Sequence, residues 1–141
     1  MQQASGQLSI DTRGAGLVEV TRQIADWIGQ QRIATGLLTV LCQHTSASLL
    51  INENASGAVR RDIVRYFAAL APEDPRRYEH DEEGLDDMPA HLRTAMTSVS
   101  LSIPVSGGAM ALGTWQGVFL FEHRAAAHRR TLALHLIGEV G

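Results

Sequence analysis

Apolar and polar residues alternate in QLSIDT, which puts Leu8 and Ile10 on one side. A period of two reads as a half-buried strand, and GLVEV is expected to be its hairpin partner. The period then lengthens. In RQIADWIGQQRI, Ile24, Trp27 and Ile28 share one helical face, with Thr21 as the expected cap and Gly36 as the exit. LLTVLCQHTSASLLINEN reads as two strands on either side of a polar kink at His44-Thr45-Ser46. A second helix is expected over 56–70, where Val59, Ile63, Phe67 and Leu70 are spaced for one face and Pro72 and Pro75 end the run. A short helix, PAHLRTAMTS, should start at Asp87, with that carboxylate capping the first turn and Pro89 inside it. VSLSIPV, AMALG, GVFLFEH and RTLALHLI are strand-like, and the last sets Leu132, Leu134 and Leu136 against Thr131, Ala133 and His135. Strands and helices do not alternate as βαβ units. The pattern predicts an α+β fold with a mainly antiparallel sheet system.

Composition narrows the class. At 141 residues, 45% apolar and 19% charged, the chain fits one globular domain over 1–141, with no linker or repeat dividing it. No apolar run approaches the roughly 18 residues that span a bilayer, so no membrane role is expected. The N-terminal MQQASGQLSIDT lacks a basic and then apolar leader. Cys42 is the single cysteine and lies in an apolar run, which fits a buried side chain and a reducing cytoplasm. All twelve basic residues are arginine, which excludes Schiff-base chemistry and a P-loop lysine. The arginines are scattered, the net charge is −3 and the pI is about 6.0, so no nucleic-acid partner is expected.

Charge matters most locally. HDEEGLDDMPAH, residues 80–91, holds five of the fifteen carboxylates between two histidines. Such a run is usually a solvated loop. Met88, Pro89 and the helix start argue instead for an ordered loop, and an ordered acidic loop beside histidines is a candidate metal or acid–base site. His44 interrupts two apolar runs, and His123 ends the apolar strand GVFLFEH; His128 reads as exposed and His135 as structural. Neutral imidazoles converging from separate elements suit a divalent ion, although the spacings match no short zinc motif. Each could equally be a hydrogen-bonded structural residue. Asn52 and Asn54 either organise a turn or hold a ligand. Thr45 and Ser46 add hydroxyls without a phosphate-loop glycine. Trp115, in LGTWQG, either covers core or stacks on a flat heterocycle. On an alternating strand Glu122 and Arg124 share a side that His123 does not face.

Three strings, HTSASLLINEN, YEHDEEGLDDMPAH and SIPVSGGAMALGTWQGVFLFEHR, in this order and spacing, resemble the YjbQ-like family. The resemblance runs from about residue 36 to 130. It implies a two-sheet β-sandwich of about seven strands with two or three helices, usually a homotrimer. It also implies a polar pocket in which His44, His80 and His91 gather as metal ligands, with Asn52, Asn54, Asp87, Glu122 and Arg124 nearby. The activity it implies is of thiamine-phosphate synthase type, joining a pyrimidine diphosphate to a thiazole phosphate. One departure stands out: the family's Asn-Glu-Asn-x-Asp-Pro reads Asn52-Glu53-Asn54-Ala55-Ser56-Gly57 here, without that acid and proline.

The expected functions follow. In the first, a divalent ion, zinc or magnesium or manganese, screens a diphosphate leaving group. Arg124, Thr45 and Ser46 hold phosphate oxygens, and Trp115 contacts a ring. In the second, a metal-dependent hydrolase acts on a phosphorylated metabolite: a His-bound ion activates water, and Glu122 or Asp87 moves the proton. In the third, the protein is a non-enzymatic trimer that binds metal or metabolite.

Overall fold

The computed structural model describes residues 1–141. Eight strands form two antiparallel sheets, which bears out the α+β sandwich. In chain order the elements are β1 (Gln2–Asp11), β2 (Gly16–Glu19), α1 (Thr21–Gly29), β3 (Thr35–Cys42), β4 (Ala47–Glu53), α2 (Gly57–Leu70), α3 (Asp87–Met96), β5 (Ser100–Ser106), β6 (Ala109–Met110), β7 (Gln116–Glu122) and β8 (Arg129–Glu139). The larger sheet runs β1-β8-β3-β5-β6 and the smaller runs β2-β7-β4. The count exceeds the expected seven by one, and β6 is only two residues long.

The core lies between the sheets. Leu38, Val40, Ile103, Leu132, Leu134 and Leu136 face inward from the larger sheet, and Leu49, Val118 and Leu120 meet them from the smaller. Each row follows the period of two in its strand, because successive side chains point to opposite faces. Ile24 and Ile28 of α1 join the same cluster. The reverse face of β7 is also buried: Phe121 stacks edge-on against Phe67 of α2, 5.6 Å between ring centres. No helix is long and apolar enough to cross a membrane.

The expected hairpin of β1 and β2 does not form. β1 pairs with β8 in the larger sheet, and β2 pairs with β7 in the smaller. Gly14 and Gly16, at φ 135° and 148°, let the chain leave one sheet and enter the other over four residues. The kink at 44–46 makes the same kind of crossing from β3 to β4. Two helix signals also act differently. Thr21 Oγ1 accepts from Val118 N at 2.8 Å and donates to Glu19 at 2.9 Å, so it ties α1 to β7 instead of capping the helix. Gly36 sits inside β3 opposite Gly138, and α1 ends earlier, at Gly29.

Candidate metal centre

Asp87 opens α3, yet its carboxylate caps nothing; it turns sideways into a polar cluster. Arg124, just beyond β7, holds the acidic loop in place from the other side. Its Nε donates to Asp86 at 3.1 Å, Nη1 to Asp87 Oδ1 at 2.8 Å and Nη2 to the Glu83 carbonyl at 3.0 Å. Ala125 N adds a bond to Asp86 at 2.8 Å. The guanidinium fork suits several oxygens at once, which a lysine could not span. The acidic loop is therefore ordered by one arginine and one backbone N–H.

The other oxygen of Asp87 gathers the histidines. Oδ2 lies 2.8 Å from His80 Nε2 and 3.1 Å from His91 Nε2, and Glu83 Oε2 is 3.3 Å from His80 Nε2. One ligand atom from each of His80, Glu83, Asp87 and His91 falls within 4.8 Å of all the others. His91 Nδ1 lies 2.9 Å from the Thr45 carbonyl, to which it can only donate. A neutral His91 consequently turns the Nε2 lone pair toward a carboxylate oxygen. Two acceptors at 3.1 Å require a cation between them, either a proton or a metal ion. The hydrogen bond that His80 donates to Asp87 pushes the His80 pKa up. Burial would raise the Asp87 pKa, but the bond to His80 and the charges of His91 and Arg124 outweigh it and hold the carboxyl below its ordinary value. Two imidazoles and two carboxylates suit zinc, manganese or iron, and the site is open to incoming ligands: Asp87 is buried while His80 and Glu83 are exposed at 42% and 65%.

The remaining expected residues divide by place. Thr45 joins the cluster through its carbonyl. His44 does not; its Nε2 accepts from Thr131 N at 2.8 Å, and burial with the Arg130 charge pushes its pKa down. Glu122 is fully buried and paired with Arg130, which also bonds Ser46 Oγ at 3.0 Å. Thr12 donates to Glu122 at 2.6 Å. Asn52 and Asn54 lie at the far end of β4, and the Asn52 side chain accepts from Glu53 N while Asn54 Nδ2 donates to Glu19. Trp115 is 64% exposed beside that end, its carbonyl bonded to Asn54 N. The seven residues of β4 separate this group from the histidines by roughly 20 Å within one chain.

Two residues were missed. Glu83 belongs to the cluster, and only its place three residues after His80 could have marked it. Arg130 shares the parity of Leu132, Leu134 and Leu136, which directs it inward, just as Glu122 shares the parity of Val118 and Leu120. Two charged residues on inward rows of facing strands are a readable signal for a buried pair.

Residues 6–139 match the family described as UPF0047 protein YjbQ-like. The UPF0047 protein of Synechocystis is 50% identical over 94% of this chain and 90% of its own. UPF0047 protein YjbQ of Escherichia coli O157:H7 is 46% identical over 94% of both chains. The crystal structure of a hypothetical protein from Aeropyrum pernix K1 superposes with a TM-score of 0.84 at 31% identity, covering 99% of this chain and all of that one. On sequence and fold alike, the chain belongs to the UPF0047 YjbQ-like family.

Proposed function

We propose that the protein is a metal-dependent enzyme of the cytoplasm acting on a small phosphorylated metabolite, with the divalent ion held by His80, Glu83, Asp87 and His91. The observation that carries this reading is the Asp87 carboxylate facing two imidazole nitrogens, one with its proton already committed to Thr45. When bound, the ion supplies a Lewis acid for phosphoryl oxygens. The chain's own residues prepare the place. Thr45 fixes the tautomer of His91, and Arg124 neutralises the Asp87 oxygen that faces away from the histidines. Glu83, the most exposed member, leaves that side of the site open to solvent and substrate.

The reaction read here is of thiamine-phosphate synthase type: a pyrimidine diphosphate joins a thiazole phosphate and diphosphate leaves. Hydrolysis of a phosphorylated metabolite is the second reading. The distance of Trp115, Asn52 and Asn54 from the histidines favours it, because hydrolysis needs no ring-binding residue beside the ion. Joining two ring substrates calls for a neighbouring subunit to bring such residues close, which fits a trimer.

Metal analysis of protein purified without chelator, followed by mass spectrometry of products from the pyrimidine diphosphate with and without the thiazole phosphate, tests both. The expected result is bound metal and metal-dependent thiamine phosphate. Metal-dependent monophosphate alone selects the hydrolase, and no turnover with any divalent ion leaves a binding trimer. His91→Ala should weaken metal binding by at least about tenfold. His44→Ala should retain the metal; if it loses the ion as His91→Ala does, His44 belongs to the ligand set.

A further inference from the structure

Nε of Arg93 and Nδ1 of His123 are buried without a hydrogen-bond partner, and both residues line one cavity of about 320 Å³ on the α2 side of β7. Val64, Phe67, Ala68 and Phe121 make its walls largely apolar. Arg93 is 8% exposed and forms no ion pair; Nη2 donates to the Ala71 carbonyl at 2.7 Å. A buried guanidinium with one neutral acceptor is strongly unfavourable, and an anion beside it would remove that penalty. Glu122 also touches the cavity, but Arg130 and Thr12 occupy its carboxylate. Glu73 is exposed and unpaired where it lines the cavity.

His123 adds a second polar group to the cavity wall. Its Nε2 lies 2.9 Å from Ser48 Oγ, which is 2.6 Å from Thr97 Oγ1, and Thr97 Oγ1 donates to the Arg93 carbonyl at 2.8 Å. Burial, and after it the Arg93 charge, push the His123 pKa down to about 4, so the ring is neutral.

We propose that this cavity binds a small carboxylate with an apolar body. The carboxylate accepts from Arg93 Nε, and the body lies against Phe67 and Phe121 beside the His123 ring. The volume is at the lower end of ligand pockets, near about 300 Å³, and suits one ring or a short chain. One permanent charge matches a monoanion. A phosphate dianion would leave its second charge close to Glu73 and Glu122.

Benzoate and its neutral isostere benzamide test this by calorimetry, with nitrogen NMR of the His123 ring as a local readout. Benzoate should bind at least about tenfold more tightly than benzamide and shift the His123 Nδ1 signal, since charge-assisted bonds are the stronger ones. Arg93→Gln should abolish the preference. Ala68→Phe, at an exposed α2 position that lines the cavity, should block binding in a protein that melts like the parent, so the test survives if Arg93→Gln does not fold. Equal affinities, benzoate binding undiminished by either substitution, or no binding up to about 10 mM overturns the proposal. None of these readouts involves the ion.

Discussion

Glu122 reaches its buried position on the inward row of β7 beside Val118 and Leu120, and Arg130 arrives from the Leu row of β8 to meet it. Burial would raise the Glu122 pKa, but bonds from Arg130 and Thr12 outweigh it and hold the carboxylate ionised. Removing one partner leaves an uncompensated charge, so Glu122→Gln should cost about 3 kcal/mol or more in chemical denaturation. A loss below about 1 kcal/mol would mean that Arg130 finds another acceptor. His123, on the opposite row, gives a pH dependence of definite sign. Its pKa falls from 6.5 to about 4 on folding, so between those values the unfolded chain holds more protons. Stability from this group is therefore complete above pH 6.5 and declines as pH falls toward 4, by up to about 3 kcal/mol. His80 shifts upward and contributes the opposite slope, which cancels on comparison with a variant. Denaturation at pH 7 and 4.5 should show a larger acid loss in the parent than in His123→Gln. Identical losses would show that His123 is not held neutral.

At the scale of elements, the side-to-side period of each strand was legible and its partner was not. Leu8 and Ile10 announce a strand, but nothing in QLSIDT distinguishes pairing with GLVEV from pairing with β8, 118 residues away at the Asp11–Arg129 end. Register inside the larger sheet depends on a close approach that glycine alone permits. Gly36 and Gly138 face each other across β3 and β8, and a Cβ on Gly138 would stand 2.0 Å from the Thr35 carbonyl oxygen. Gly138→Ala should destabilise by about 2 kcal/mol or more through backbone displacement. A melting curve unchanged within error would mean that the strand ends separate freely. Helix α3 shows a local signal diverted by its surroundings: Asp87 and Pro89 do mark the start, yet two histidines and Arg124 compete for the carboxylate and take it from the helix N–H groups.

The whole molecule leaves one sheet face uncovered. On the outer side of the larger sheet Leu37 and Leu41 of the middle strand are 43% and 40% exposed, with Ile137 half-buried beside them. An apolar strip in the middle of a sheet suits a neighbouring copy. We expect light scattering to give a trimer at micromolar concentration, and Leu37→Asp/Leu41→Asp to give a folded monomer. A parent chain that stays at 15.3 kDa would refute the assembly. The same experiment bears on the reaction, because Trp115 can reach the histidine cluster only from another subunit.

By itself the sequence determined the α+β class, most element boundaries and the inward rows, since these follow from local periodicity and from the alternation of side chains along a strand. Its motifs also carried the family. It marked His80, Asp87 and His91 as candidates, because they crowd one short acidic loop and the helix after it. Only the tertiary structure decided which strands pair, that His44 serves the Thr131 backbone, that Glu122 answers Arg130 instead of Arg124, and that Asn52, Asn54 and Trp115 sit at the other end of β4. Those outcomes depend on contacts between residues far apart in the chain. Charge and hydrogen-bonding capacity say that a group needs a partner, and the fold alone says which one comes within reach.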